Sequence, residues 1–487
     1  MKYLIILLLI QISTLAMSQQ NYDNQADKTR ILCDKMIESP LDFTDFDMDA
    51  LLYYDLDRDQ LRYYTHKLFN KGNGTIKNNS NSNRGLMGFF NRRDMKRRDK
   101  KYFCRVRKLE KAPDQYIKVL AEGDSWYEFP IHVKDIVHHL IKKNKKFAVK
   151  SLGAGGDWMA NMLFEREYLF YITTMRPSVF MVSGGGNDIT GEQLGALVDQ
   201  HARILPFPKY NKNTPKTDDE HIDLVKHGKD EEKYLTEFGF WVKHRLTAKE
   251  GEPLYAHTNF LTNPLPEALK KKLNALNDNE YDKALYDKIM RGRKFVNFNY
   301  LSFLKLLEFQ YMYMHKTIEA EDPVYYDSLL ILTQGYDYTI PSYKRGRLFL
   351  PKILNMFLKN GRWLKAPLTV KGITEQYDQE AVMVAITFGY NELLVDLSTR
   401  YKNMCHVDAR GIAQSVNPQN PSKSWFDELH LKSDVYAKVS HRFADCIRDH
   451  KAILDNRQPV PVPTGRYSAK LPEYYQNKYP AKVFKVP

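Results

Sequence analysis

The stretch IKVLAEGDSW, Ile117–Trp126, decides the fold, because an apolar run stops there at glycine, aspartate and serine. Four other apolar runs stop in the same way, before GAGGDW, GGGND, QGYDY and ARG: Phe147–Leu152, Ser178–Ser183, Ser328–Thr333 and Met404–Asp408. Short apolar runs that end at glycine-rich or polar loops are typical of β-strands. We therefore expect five strands, each followed by a loop.

Apolar residues repeat at helical spacing between these strands. Such segments run from Val133 to Ile141 and from Val435 to Ile447, and Gln379–Leu397 is a longer apolar helix candidate. Strands that alternate with helices predict a parallel sheet covered on both faces. We therefore predict an α/β fold: a three-layer αβα domain with a mainly parallel sheet, a helical insertion and an N-terminal extension.

The carboxyl ends of parallel strands carry the functional loops in such folds. Ser125, Gly156 and Asn187 each follow a predicted strand, so they are expected at one edge of the sheet. Ser125 alone is a weak signal, because glycine, aspartate and serine are common in ordinary turns. A serine nucleophile also needs a base, a group that orients the base, and donors for the oxyanion.

The segment SWFDELHLKSDVY supplies the first two groups, since Asp427 and His430 lie three residues apart before a predicted helix. One loop can present His430 Nε2 to Ser125 and His430 Nδ1–H to Asp427. The backbone N–H groups of Ser125 and Gly156 and the side-chain amide of Asn187 are candidate oxyanion donors. The order Ser, Asp, His recurs among unrelated hydrolases.

Four of these motifs, GDSW, the glycine of GAGGD, GGND and DELH, resemble the sequence blocks of the SGNH, or GDSL-type, hydrolases, in the family's order. The resemblance covers about Tyr116–Gln200 and Tyr325–Arg448. Trp126 stands where the family usually has leucine, as in a bacterial subgroup with GDSW and a later GYDYTIP-like stretch.

The resemblance implies an SGNH-like fold and a secreted serine hydrolase of carboxylic esters, of esterase or lipase type, that needs no cofactor and no metal. It implies that Ser125 is the nucleophile, His430 the base and Asp427 its orienting group. Gly156, Asn187 and the Ser125 amide would bind the oxyanion. The substrate would be an acylated glycan or a lipid.

Other functions stay open at this point. The same site suits an acyltransferase or a polysaccharide O-deacetylase, and a non-catalytic secreted protein could bind glycan or lipid with tyrosines such as Tyr325, Tyr326, Tyr336 and Tyr338. A metal-dependent phosphoesterase is disfavoured by the lack of G-N-H-D/E and H-E-x-x-H motifs. A dinucleotide fold is disfavoured because Trp158 stands at the third glycine position of G-x-G-x-x-G.

The N-terminus, MKYLIILLLIQISTLAMSQQ, has the pattern of a cleavable secretory signal over residues 1–18. Ala16 and Ser18 are the small residues at the third-last and last positions before Gln19. The apolar run is short for a membrane span. We therefore expect a secreted or periplasmic protein with no transmembrane anchor.

Three further segments follow the signal. Residues 19–115 are predicted as an N-terminal extension, in which NGTIKNNSNSNRG is a low-complexity linker and the basic run NRRDMKRRDKK is interpreted as a solvated linker. Residues 116–452 are the predicted hydrolase domain, and 191–322 within it are a mostly helical insertion that can form a cap over the strand ends. Residues 453–487 are a tail rich in proline and tyrosine.

The chain has 487 residues, 43% hydrophobic content and a net charge of +14, enough apolar sequence for a sizeable core. The positive charge favours contact with anionic surfaces, while its mixing with acidic residues gives no reason to expect nucleic acid. The four cysteines permit two disulfides in an exported protein. We expect Cys33 with Cys104 and Cys405 with Cys446, with free buried thiols as the alternative.

Overall fold

The computed structural model describes residues 27–54, 58–70, 86–112, 116–129, 133–205, 224–248, 255, 264–342, 363–450 and 483–485. The predicted signal, the low-complexity linker and all but three residues of the predicted tail lie outside this described part.

The centre of the fold is one parallel sheet, as predicted. Its strands are β1 Ile117–Gly123, β2 Phe147–Ser151, β3 Val179–Ser183, β4 Leu330–Gln334, β5 Met404–Asp408 and β6 Val483–Lys485. They lie in the order β2-β1-β3-β4-β5-β6, and every neighbouring pair is parallel. The first five strands confirm the five predicted from the sequence. All residues of β2 to β5 are buried, which explains why these strands are continuous apolar runs without alternation.

Helices occupy most of the remaining described chain, together with short 3₁₀ turns at Asn187–Ile189 and Pro421–Ser424. In chain order the helices are α1 27–38, α2 Asp45–Tyr53, α3 Arg58–Asn70, α4 Leu86–Leu109, α5 Ile136–Lys143, α6 Met159–Glu165, α7 Glu167–Met175, α8 Glu192–Leu197, α9 Leu224–Thr247, α10 Glu267–Asn274, α11 Lys283–Arg293, α12 Asn299–Glu321, α13 Pro323–Ser328, α14 Lys365–Val370, α15 Gln376–Arg400, α16 Ile412–Val416 and α17 Ser433–Arg448.

The strand order divides these helices between the two faces of the sheet. The β1–β2 crossover through α5 runs one way along the sheet, and the β2–β3 crossover through α6 and α7 returns past β1. Because parallel crossovers are right-handed, α5 lies on one face and α6 and α7 lie on the other. Helix α12 packs against α6, α7 and α15, whereas α17 packs against α5. The result is the predicted three-layer α/β architecture.

Two long helices form the middle of the second layer. Most side chains of α12, the last long helix of the predicted insertion, are buried, so this helix belongs to the core. Among the described residues, α15 is the one helix long and apolar enough to cross a membrane, with a mean hydropathy of 1.3, and that stretch is 100% buried inside the protein.

Buried ion pairs join the insertion to the sheet. Arg245 on α9 pairs with Glu392 on α15 and with Asp396 at 2.8 Å. Glu392 also binds Arg410 at 2.8 Å, and Arg410 binds Asp408, the last residue of β5, at 2.6 Å. Removing one member would leave a buried charge without its partner, so these ions constrain how α9 docks.

The sequence suggested that the basic run in the N-terminal extension is a solvated linker, and this prediction is wrong. It forms part of α4, which packs against β2. Arg98 from this run is buried and lies 2.6 Å from Asp135 and 2.9 Å from Glu128. The run therefore follows helical geometry, in which Arg98 faces inward while Lys96, Arg97 and Lys100 are exposed.

The predicted disulfides are also wrong, because none of the four cysteines forms a disulfide bond. Cys33 is buried in α1, whereas Cys104 is exposed on α4. Cys405 and Cys446 are both buried, on β5 and α17. Each buried thiol acts as a small apolar side chain of the core, which agrees with the alternative that the sequence left open.

Packing between α11 and α15 yields a prediction about stability. A Cβ at Gly292 would overlap the backbone carbonyl of Ala381, whereas a Cβ at Gly228, exposed on α9, would meet no atom within 4 Å. We expect Gly292→Ala to lower the free energy of unfolding by about 1–3 kcal/mol, because the backbones of α11 and α15 must separate to make room for the new Cβ. Gly228→Ala should instead add up to about 1 kcal/mol through helix propensity.

Thermal and urea unfolding of the two variants beside the parent protein test this prediction. A Gly292→Ala protein with unchanged stability would contradict the close approach of the two helices.

Candidate active site

The site lies where the strand order reverses. β1 has β2 on one side and β3 on the other, so a crevice opens beyond the carboxyl ends of β1 and β3. Ser125 follows β1, Gly156 lies in the loop after β2, and Asn187 begins the 3₁₀ turn after β3. The segment Asp427–His430 arrives from beyond β5, just before α17.

Ser125, His430 and Asp427 form one continuous hydrogen-bonded relay. Ser125 Oγ lies 2.8 Å from His430 Nε2. The other ring nitrogen, His430 Nδ1, lies 2.9 Å from both carboxylate oxygens of Asp427. Ser125 is partly exposed, whereas the other two side chains are buried. The hydroxyl thus faces the crevice while its partners are shielded from water.

Asp427 is held as an ionised carboxylate. Its Oδ1 accepts the backbone N–H groups of Leu429 and His430, each at 2.8 Å. Burial by itself raises the pKa of Asp427, but the charge and hydrogen bond of His430, together with these two N–H groups, outweigh burial and lower the pKa below its usual value. An ionised Asp427 fixes the His430 ring with Nδ1 protonated and Nε2 facing the serine.

Asp124, the residue before Ser125, joins the ends of three strands. Its Oδ1 accepts the backbone N–H of Trp126 at 3.0 Å and the hydroxyl of Ser183, the last residue of β3, at 3.4 Å. Its Oδ2 accepts the hydroxyl of Tyr336, beyond β4, at 2.5 Å. Asp124 is buried, and burial raises its pKa. The residue therefore shapes the turn that presents Ser125.

Trp126 connects the serine loop to the histidine loop. Its indole N–H donates to the carbonyl of Leu429 at 3.1 Å. The indole is buried and packs edge-on against the rings of Tyr336 and Tyr436, with centroids 5.2 and 5.3 Å away. The sequence marked Trp126 only as a departure from the family leucine and gave it no role. Leucine has no N–H, so it could not make this connection.

Two backbone N–H groups at the site are unused. Among the described residues, neither the Ser125 N–H nor the Gly156 N–H has a hydrogen-bond partner. Gly156 is exposed with φ +88° in a turn closed by a bond from the Asp157 N–H to the Ala154 carbonyl, and a residue with a side chain would be strained there. The adjacent loop backbone approaches Ser125, since a Cβ at Gly155 would lie 3.9 Å from the Ser125 Cβ.

Asn187 is tied to the same loop. Its side-chain N–H₂ donates to the backbone carbonyl of Asp157 at 2.9 Å, which leaves the second amide hydrogen for another acceptor. The preceding glycine is required by packing, because a Cβ at Gly186 would overlap the ring of Tyr336. The structure thus brings the loops of Ser125, Gly156 and Asn187 to one edge of the sheet, as the sequence predicted.

Glu428, between Asp427 and His430, has a role that sequence reasoning missed. Its buried carboxylate accepts four backbone N–H groups, from Ser342 at 2.9 Å, Trp363 at 2.8 Å, Leu364 at 3.1 Å and Lys365 at 3.2 Å. It therefore anchors the chain after β4 and the start of α14 to the histidine loop. A glutamate in a polar motif gives no sequence signal for such a role.

The ring of Phe129 packs against the imidazole ring of His430, and the two ring centroids lie 4.3 Å apart. Among the residues that the structure describes, no three His, Cys, Asp or Glu side chains converge as ligands for a metal ion.

Comparisons of the chain with protein-family models, with curated proteins and with solved structures found no significant match.

The link between Trp126 and Leu429 generates a prediction. We expect Trp126→Phe to slow covalent labelling of Ser125 by a fluorophosphonate about three- to tenfold, because one hydrogen bond of about 0.5–1.5 kcal/mol no longer aligns the two loops. Trp241→Phe is a matched control, since that indole also donates to a backbone carbonyl, Tyr255 at 3.0 Å, in the predicted insertion.

Labelling rates and melting temperatures are measured for both variants. If both substitutions lower the melting temperature and neither changes the labelling rate, Trp126 has no positioning role.

Proposed function

We propose that the protein is a serine hydrolase of carboxylic esters that acts through an acyl-enzyme. The observation that carries the proposal is the continuous relay from Ser125 Oγ through His430 to Asp427, with two unused backbone N–H groups beside it. We further propose that the chain belongs with the SGNH hydrolases, whose four blocks resemble the motifs that converge here.

In the first step, His430 Nε2 takes the Ser125 proton while Oγ attacks the acyl carbon. The carbonyl oxygen becomes negative, and the N–H groups of Ser125 and Gly156, with the free amide hydrogen of Asn187, are available to stabilise it. The imidazolium that forms is stabilised by ionised Asp427. His430 then gives its proton to the alcohol oxygen as the carbon–oxygen bond of the ester breaks.

The second step releases the acid. Water takes the place of the alcohol, His430 removes one of its protons, and the resulting hydroxyl attacks the acyl carbon attached to Ser125. The same donors stabilise the second oxyanion. Collapse of this intermediate returns the proton from His430 to Ser125 Oγ. If a sugar or lipid hydroxyl replaces water, the same residues transfer the acyl group, so an acyltransferase or an O-deacetylase would use the same chemistry.

A non-catalytic glycan- or lipid-binding protein is the second candidate, and the placement of its proposed tyrosines weakens it. Tyr325 and Tyr326 lie on α13, before β4, whereas Tyr336 and Tyr338 follow β4. The two pairs therefore occupy opposite ends of the strand. Tyr326 and Tyr336 are also buried, so the four rings do not line one cleft.

We propose an exported protein whose substrate is an acylated glycan or a lipid ester. The export signal is a sequence pattern that lies outside the described residues. The net charge of +14 supports attraction to anionic glycans or to anionic lipids.

Ser125→Ala should abolish hydrolysis of nitrophenyl esters, measured from acetyl to palmitoyl, because no other group in the relay can form the acyl-enzyme. The control is Ser328→Ala, which removes an exposed serine hydroxyl that bonds only to the Tyr325 carbonyl of its own helix. Activity should remain with that variant, and the chain-length optimum separates deacetylase from lipase specificity.

The fluorophosphonate should label the parent protein and the Ser328→Ala variant but not Ser125→Ala. Full turnover by a folded Ser125→Ala protein would overturn the proposed nucleophile, and no turnover or labelling of the parent protein would favour the binding protein.

Asn187→Asp should lower kcat at least about a hundredfold, the usual effect of losing one oxyanion donor. A carboxylate cannot donate, and it would add negative charge where the transition state already carries it. The control is Asn279→Asp, an exposed asparagine near α11. Equal rates for both variants would remove Asn187 from the oxyanion site.

A further inference from the structure

The loop that carries Gly156 borders a cavity, through Gly153, Ala154 and Asp157. Its volume of about 300 Å³ is at the lower end of the range for small-molecule sites. Five carboxylates line it: Glu122, Glu128, Asp157, Glu165 and Glu167. None of them belongs to the serine relay. The cavity therefore concentrates negative charge in a protein whose net charge is positive.

The carboxylates are arranged by depth. Glu122 and Glu128 are 4% and 1% exposed, so they form the interior, whereas Glu165 and Glu167 are exposed. Asp157 connects the cavity to the serine site, because its side chain lines the cavity while its backbone carbonyl accepts the Asn187 amide. A ligand would meet the exposed acids first and the buried acids afterwards.

The buried acids lack sufficient partners. Glu122 Oε1 accepts only the N–H of its neighbour Gly123, at 3.2 Å, and Oε2 has no partner among the described residues. Glu128 Oε1 is buried without a hydrogen-bond partner. Arg98 lies 2.9 Å from the other oxygen of Glu128, but it also pairs with Asp94 and Asp135. One guanidinium thus serves three carboxylates, and no cation in the described part of the chain forms an ion pair with Glu122.

The five acids of the cavity outnumber the cations near them, since Arg98 lies at Glu128 and the charge of Lys150 acts on Glu167. Burial, and then the nearby charges of Asp157 and Glu167, raise the pKa of Glu122 well above its usual value. Burial also raises the pKa of Asp157 to about 7. Ionised carboxylates without partners are costly inside a protein, so burial favours their neutral forms. A cation that entered would stabilise the ionised forms and lower these pKa values.

The walls indicate which cation fits. Met95, Leu152 and Met162 supply apolar surface between the acids. The carboxylates are spread around the cavity, and no three of the described acids converge on a point as metal ligands. An ammonium group on a short aliphatic chain matches both features, because the chain covers the apolar walls while the charge reaches the acids.

We propose that this cavity binds a primary alkylammonium ion, with its charged group at Glu122 and its chain against Met95, Leu152 and Met162. The site is separate from the serine relay and does not depend on the proposed hydrolase function. Binding can therefore be measured directly, without any assay of turnover.

The test is calorimetric titration of the full chain with n-pentylamine at about pH 8, where Asp157 is ionised and the amine is still protonated. 1-Pentanol, of similar shape but neutral, is the matched ligand control and should not bind. Glu122→Gln should weaken amine binding at least about tenfold, the scale of one charged hydrogen bond. Glu165→Gln, at an exposed position that cannot disturb the core, should weaken it about two- to fivefold.

A stability measurement separates lost binding from misfolding. Because the folded-state pKa of Glu122 is above its unfolded value, this carboxyl costs stability at about pH 8. Without amine, the Glu122→Gln variant should therefore melt at a higher temperature than the parent protein. Added amine should raise the melting temperature of this variant by less than it raises that of the parent. Glu232→Gln, on the exposed side of α9, is the control variant and should bind like the parent protein.

Equal affinity of the parent protein and the Glu122→Gln and Glu165→Gln variants for the amine would overturn the site, as would equal binding of 1-pentanol. A titration with calcium chloride forms the last arm. Calcium binding that excludes pentylamine and is lost in Glu165→Gln would overturn the alkylammonium assignment in favour of a metal ion.

Discussion

The buried carboxylate of Asp124 is the interaction on which the arrangement of the site depends. It accepts hydrogen bonds from the Trp126 N–H and from the hydroxyls of Ser183 and Tyr336, so it connects the loops beyond β1, β3 and β4. Without this carboxylate the Trp126 N–H would be buried with no partner, a cost of about 1–3 kcal/mol. The hydroxyls of Ser183 and Tyr336 would keep only the 3.2 Å hydrogen bond between them. Ser125 takes its position from this network and contributes nothing to it.

A second layer of contacts aligns the distant histidine loop. Trp126 binds the Leu429 carbonyl from one side, and Glu428 binds the backbone beyond β4 and at α14 from the other. The loop is therefore held by groups that lie outside the hydrogen-bonded relay of Ser125, His430 and Asp427. A 2.8 Å contact between Ser125 and His430 is maintained because both ends of it are fixed by buried hydrogen bonds.

The sequence predicted the layers and the relay because both depend on local patterns. Apolar runs ending in glycine and polar residues identified the strands, and D-x-x-H placed a base next to its orienting group. The same reasoning failed for Arg98, whose burial depends on Asp135 and Glu128 across the fold. It also missed Glu128 as a cavity acid, since no sequence spacing reveals that five carboxylates from separate elements share one space.

Ser125 and His430 are 305 positions apart in the chain, and this separation affects when the site can form. During synthesis the N-terminal parts of a chain emerge and can fold first. Ser125 then has a hydroxyl but no base, and such a hydroxyl is a weak nucleophile. His430 arrives only with the segment that joins β5 to α17, through a contact of very long range, which is slow to form. The hydrogen bond between Ser125 and His430 thus forms as one of the final events of folding, and until then the Ser125 hydroxyl has no imidazole beside it.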